Sequence, residues 1–228
     1  DTTLFQPAGR LLPEEINAGS AHAKGNRWFG LEFYAREIAA EWALSEAEII
    51  KRKYNQKSFR ALDLGGQSGF RAMELAKKGF DVKVIDVLDY GDDIKERNRR
   101  LSLESKANGK LSHLVADLRS LDVPTLKSFC RGNAPSVVSF YRSTHFLETP
   151  EIGGVVKVVS QAVQPGSVLA LSYDFMNPSV KSHHPDEVIK TVEDCGFAVE
   201  FEKIQDTAPK IGRGKNPAVV HQGFRLRR

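Results

Sequence analysis

The stretch from Arg60 to Val87 constrains the fold more than any other part of the chain. A short apolar run containing Ala61, Leu62 and Leu64 ends in a turn with glycines at 65, 66 and 69. A helical pattern from Arg71 to Lys78 follows, Gly79 closes it, and a second apolar run occupies Asp81 to Val87. Strand, glycine turn, helix and second strand in succession are the mark of a βα unit and of a largely parallel sheet. Glycine suits such a turn because the backbone there takes conformations closed to other residues, or approaches a ligand without a Cβ in the way.

The alternation continues towards the C-terminus. A polar helix around Asp92 to Ala107 leads to a short strand near Leu114, and after a variable stretch Ser136 to Tyr141 forms another strand. Ile152 to Val163 has apolar positions at helical spacing and stops before Pro165-Gly166, and Ser167 to Tyr173 reads as a buried strand. A last helix, Asp186 to Cys195, ends at Gly196; alternation then returns at Phe197, Val199 and Phe201, and again from Ala218 to Leu226. Two strands with no helix between them predict an antiparallel pair at one sheet edge. Residues 1–57 lack strand-like alternation. Leu31, Ala35, Ile38 and Trp42 recur at helical spacing and predict an amphipathic helix from about Trp28 to Lys53. The chain thus divides into a helical cap or lid over 1–57 and an α/β domain over 58–228.

Composition narrows the class. A chain of 228 residues buries one substantial core with an added segment, and 41% hydrophobic with 27% charged residues is ordinary for a globular protein. No apolar run approaches the roughly 18 residues of a membrane helix, so no membrane partner is expected. Lys and Arg exceed Asp and Glu by 33 to 29, spread along the chain, which only mildly favours an acidic partner. Cys130 and Cys195 are far apart, without metal-ligand spacing or the density of a secreted scaffold, and point to a reducing, cytoplasmic setting. The sequence opens on Asp1 without a Met, as expected of a trimmed chain.

The loop itself excludes two nucleotide classes. A dinucleotide fingerprint G-x-G-x-x-G would require glycines at 65, 67 and 70, where Gln67 and Phe70 interrupt it, and no G-x-x-x-x-G-K-S/T element is present. DLGGQSG, 63 to 69, instead resembles motif I of the class I S-adenosylmethionine-dependent methyltransferases, D/E-h-G-x-G-x-G, with Asp63, Gly65 and Gly69 matching and Gln67 in place of the middle glycine. The resemblance implies a three-layer α/β sandwich with a mostly parallel seven-stranded sheet whose last strand is antiparallel. It also implies S-adenosyl-L-methionine as cofactor, bound along Asp63, Gly65, Gly66, Gln67 and Gly69. Val84-Ile85-Asp86 ends the second strand, where the family carries an acid that accepts hydrogen bonds from both ribose hydroxyls. Asp86, 17 positions past Gly69, takes that role beside Val87, with Asp89 as competitor. Val115-Ala116-Asp117-Leu118 resembles the segment after the third strand, so that Asp117 would reach the adenine amino group and the Leu118 amide would face the ring. SVVSFYRSTHFLE, 136 to 148, is similar to the family's fourth strand and its rim; PGSVLALSYDF and CGFAVEFEKI look like its fifth strand and the join to its sixth.

The implied reaction is a direct in-line methyl transfer to a small-molecule acceptor, for which alignment matters more than any single catalytic group. Where a base helps, His145 is the candidate, with Tyr141 on the same rim and also beside the cofactor. Arg142, Trp28 and Arg27 are the expected acceptor contacts, and Trp28, Phe29 and Tyr34 suit a lid. His183 and His184 read as exposed residues at a helix start, and without a third ligand no metal is expected. The loop from 205 to 218, with Lys210, Arg213 and Lys215, and the Arg225, Arg227, Arg228 tail leave a nucleic-acid partner as a disfavoured reading. No D/N/S-P-P-Y/F/W element follows the fourth strand to support it. An RNA or protein methyltransferase is one alternative. The other, suggested by Gln67, is a catalytically inactive methyltransferase-like binding or structural domain.

Overall fold

The structure is a computed structural model that describes residues 37–54, 58–104, 109–131, 133–141, 143–175, 181–206 and 218–227, with His145 and Asp206 described by backbone alone. Seven strands form one sheet: β1 Phe59–Leu64, β2 Phe80–Asp86, β3 Leu111–Val115, β4 Val137–Tyr141, β5 Val168–Phe175, β6 Phe197–Asp206 and β7 Ala218–Leu226. Their order is β3-β2-β1-β4-β5-β7-β6. The pairs from β3 through β5 are parallel, and β7 runs antiparallel to both β5 and β6. The expected three-layer, mostly parallel sandwich with an antiparallel last strand is therefore what the chain forms. The terminal hairpin inserts its second strand against β5, so β6 becomes the edge.

Among the described residues six helices cover the two faces: α1 Ile38–Lys53, α2 Phe70–Lys77, α3 Gly91–Leu103, α4 Val123–Cys130, α5 Thr149–Ser160 and α6 Pro185–Glu193. Alternate residues of the strands supply a core on each face. Leu62, Phe140, Leu169, Leu171 and Phe224 meet α4, α5 and α6 through Leu126, Ile152, Val156 and Val188. Ala61, Val82, Val84, Val137 and Ala170 meet α1, α2 and α3 through Ala43, Ala47, Leu75 and Ile94. Strands covered on both faces read as near-continuous apolar runs, which is why β1, β4 and β5 were visible in the sequence.

Several elements differ from expectation in extent, and one helix was not expected. The N-terminal helix begins at Ile38, because Glu37 has a non-helical backbone (φ −85°, ψ 87°); Leu31 and Ala35 lie outside the described residues. Its buried residues, Ala39, Ala43, Ala47 and Ile50, recur at helical spacing, and their small side chains let α1 lie close on the sheet. Trp42 lies over Gly223 of β7, where a Cβ would come 2.6 Å from the indole, and it stacks on Phe201 with ring centroids 6.1 Å apart. Helix α5 starts three residues earlier than Ile152, since Glu148 N–H donates to Glu151 Oε2 at 2.7 Å across its first turn. Helix α4 was hidden in the variable stretch. Its marks are the Asp122 carboxylate, which accepts from Thr125 N–H at 2.7 Å, and Pro124 in the first turn. Among the described residues no helix is long and apolar enough to cross a membrane.

Candidate functional site

The C-terminal ends of β1 to β4 lie level: Asp63 is paired with Val84 and with Ser139, and Asp86 with Val115. The chain leaves β1 towards β2 on one side and meets β4 on the other. This is the topological switch point, where open α/β sheets leave a crevice for a ligand. Everything that the sequence reading assigned to a cofactor is on this edge.

The loop after β1 has three left-handed residues, Gly65 (φ 65°), Gln67 (φ 48°) and Gly69 (φ 75°). A Cβ on Gly65 would overlap Ser143, one on Gly66 would overlap the Asp63 carboxylate, and one on Gly69 would come 2.6 Å from Ile94 Cδ1 of α3. Each glycine thus permits a close approach to a different element. Gln67 replaces a glycine in the motif yet adopts a glycine's conformation, at a cost of about 1–2 kcal/mol for a residue with a Cβ. The loop is held by backbone bonds from Gly65 N–H to Ile85 O (2.7 Å) and from Gly69 N–H to Gly66 O (2.9 Å).

Asp86 is buried, and its carboxylate bridges the two strand ends: Oδ2 accepts from Gln67 N–H and Oδ1 from Leu88 N–H, each at 3.0 Å. Burial raises its pKa from 3.8 to about 6, although the amides of Leu88, Gln67 and Val87 oppose the shift. Its grip on the glycine loop was not legible in the sequence. Asp89, the competitor, turns back to accept from Gly91 N–H at 2.8 Å at the start of α3. Asp63 is also buried and accepts from Ser139 Oγ at 2.6 Å, which ties β1 to β4. Asp117 caps a short 3-10 turn, Leu118–Ser120, and accepts from Arg119 N–H at 2.9 Å. Its two oxygens also take the Arg119 guanidinium, Nε to Oδ1 at 3.0 Å and Nη2 to Oδ2 at 2.9 Å. Sequence reasoning missed that partner. Leu118 packs against the core beneath α4 and α5.

On the β4 side Tyr141 ends the strand. Burial, and then the Asp63 and Glu37 carboxylates, push its phenol well above the ordinary value, so at neutral pH it is a hydrogen-bond donor and not a base. Register places Tyr141 beside Ser172 of β5, and Ser172 beside His221 of β7. His221 Nδ1 lies 2.9 Å from Glu37 Oε1, with both side chains almost wholly buried. A single histidine inside an apolar strand has no periodic signature, and the sequence did not mark it.

A 3-10 turn, Ser143–Phe146, follows β4 and carries His145, whose side chain lies outside the described residues, as do Arg142, Arg27 and Trp28. Ser143 Oγ donates to Leu64 O at 3.0 Å and Thr144 Oγ1 to Ser172 O at 3.2 Å. His183 corrects an expectation: it is 2% exposed, whereas His184 lies on the surface. Its Nε2 is 3.2 Å from Thr144 O, and its Nδ1 is 3.0 Å from Thr149 Oγ1. A carbonyl only accepts, so Nε2 carries the proton. His183 thus fastens the turn bearing His145 to α5.

By sequence the chain matches no family model and no curated protein. By structure it is similar to many solved chains. One is 1,6-didemethyltoxoflavin-N1-methyltransferase of Burkholderia thailandensis, with bound 1,6-didemethyltoxoflavin and S-adenosylhomocysteine. It has a TM-score of 0.62 at 12% identity, over 97% of this chain and 93% of that one. Magnesium protoporphyrin IX methyltransferase of Synechocystis PCC 6803, with bound S-adenosylmethionine, has 0.58 at 14%, over 96% and 100%. The cyclase SpnF has 0.55 at 10%, over 81% and 80%. The chain has the class I methyltransferase fold, and at such identities the likeness speaks to fold, on which different chemistries occur.

Proposed function

We propose that this chain binds S-adenosyl-L-methionine across the ends of β1 to β4 and methylates a small molecule. The observation that supports this best is the buried Asp86 carboxylate, an acid kept ionisable at a strand end and bonded to a glycine loop whose Cβ-free positions let it fold tightly against Ser143, Asp63 and Ile94. Asp86, beside Val87, would accept from the ribose hydroxyls with the lone pairs its amide bonds leave over. Asp117, oriented by Arg119, and the Leu118 amide would meet the adenine. Asp63, Gly65, Gly66, Gln67 and Gly69 would line the amino-acid end, towards Tyr141. Two structural neighbours hold this cofactor or its product in their crystals.

The cofactor supplies an electrophilic methyl group on a positively charged sulfur. Residues of this chain would align the acceptor with it, and orientation of that kind is worth about 7–11 kcal/mol of barrier. Tyr141 would donate a hydrogen bond at the rim, since its phenol stays protonated. His145 would take the acceptor's proton where one must leave, and Arg142, Arg27 and Trp28 would contact the acceptor.

Titration calorimetry with S-adenosylhomocysteine, followed by transfer of labelled methyl to a panel of amines and alcohols, tests the reading. Micromolar affinity with turnover on a small acceptor is expected. No heat at millimolar ligand would sink the cofactor site. Binding with label passing only to RNA or protein would overturn the small-molecule acceptor, and binding without any transfer would leave a cofactor-binding module.

A further inference from the structure

We propose that Arg97 is a positioning residue for the glycine loop, holding it in the shape that receives the amino-acid end of the cofactor. The inference rests on the cofactor reading above. Arg97 lies in α3 and is 8% exposed. Its Nε–H donates to Ser68 O at 2.6 Å and its Nη2 donates to Ser68 Oγ at 2.8 Å. The guanidinium also lies over the Phe70 ring, 5.4 Å from its centroid, with Nη1 3.6 Å from Met73 Sδ.

Burying a guanidinium is costly unless its donors are well used, and an arginine on a polar helix readily extends into water instead. Here the fork converges on one residue. Ser68 is the single position between the two left-handed residues Gln67 and Gly69, so Arg97 fixes the part of the loop with the most backbone strain. A lysine reaches as far but lacks the planar fork that binds carbonyl and hydroxyl together. Arg97 also follows Asp86 in the chain, through the turn that opens α3. The strand end that would hold the sugar and the clamp on the loop are thus joined by one short turn of chain.

Calorimetry on the wild-type chain and on Arg97→Met and Arg97→Lys, each with S-adenosylhomocysteine and with adenosine, separates positioning from general stability. Adenosine carries only the portion assigned to Asp86, Asp117 and Leu118, and lacks the amino-acid end that meets the loop. Arg97→Met is expected to weaken S-adenosylhomocysteine by at least about tenfold and adenosine by less than about threefold, with Arg97→Lys between. Unchanged S-adenosylhomocysteine affinity in Arg97→Met would overturn the inference, as would equal losses for both ligands. Should Arg97→Met not fold, Ser68→Ala removes one of the two bonds and is expected to lower S-adenosylhomocysteine affinity about threefold, again sparing adenosine. The absence of that loss would overturn the inference. A wild-type chain that binds neither ligand refutes the site itself, and the role of Arg97 falls with it.

Discussion

At the scale of single residues, one contact joins two groups in unfavourable states, Gln67 with its positive φ and Asp86 with its buried carboxylate, and the amide bond between them eases the second. Gln67 takes a positive φ that its Cβ disfavours, and its amide is fastened to the Asp86 carboxylate. Gln67→Gly relieves about 1–2 kcal/mol of backbone strain and restores about 0.5–1 kcal/mol of unfolded-state freedom. A net gain of at most about 1.5 kcal/mol is expected in denaturant titration, and a clear loss of stability would show that the glutamine side chain supports the loop. Asp86 has a folded pKa of about 6 against 3.8, so between those values the folded chain holds the proton more tightly than the unfolded one. Its contribution to stability is full below the lower value and is lost as pH rises through the upper, so the ionised carboxylate costs about 3 kcal/mol at neutral pH. Ribose hydroxyls donate to the ionised form, so S-adenosylhomocysteine affinity should climb as pH rises through about 6 and level off above about 7. A flat profile from calorimetry between about pH 5 and 8 would remove Asp86 from the site. Both residues were legible in the sequence, because the glycine pattern and the strand-end acid are local. Arg97, Arg119 and His221 were not, since isolated polar residues become informative only when their partners are known.

At the scale of elements, the docking of α1 onto β7 decides how the first helix is held. Trp42 occupies the space over Gly223, and Arg225 of the same strand donates through Nη2 to Glu46 Oε2 of α1 at 2.6 Å and through Nε to Glu200 Oε1 of β6 at 2.7 Å. Gly223→Ala pushes a methyl group into the indole and should destabilise the chain by about 1–3 kcal/mol, as overpacking does. Urea unfolding measures it; a neutral result would mean that Trp42 moves aside freely. Helix periodicity and stop residues made most elements visible. Helix α4 escaped because only Leu126 and Cys130 of its residues are buried, too few to set a helical period, and the longer helix expected before Ile38 has no helical backbone at Glu37 to continue it.

At the scale of the molecule, the candidate site draws on the ends of four strands, so a ligand that bridges them should stabilise the whole sheet. S-adenosylhomocysteine at about 100 times its dissociation constant adds about 2.7 kcal/mol, a rise of roughly 5–10 °C in Tm for a chain of this size. Scanning calorimetry checks this, and the shift should vanish in Asp86→Ala. A shift retained there would place the ligand elsewhere.

The sequence by itself determined the alternation of strand and helix, the glycine turn, the acid that ends β2 and the acid that follows β3, because each depends on residues near one another along the chain. Only the tertiary structure decided that β7 slips between β5 and β6, that Asp86 grips the loop, that Arg119 takes Asp117 and that Arg97 clamps Ser68. Those pairings join side chains and strands from separate segments, and their geometry exists only once the two core layers have closed on the sheet.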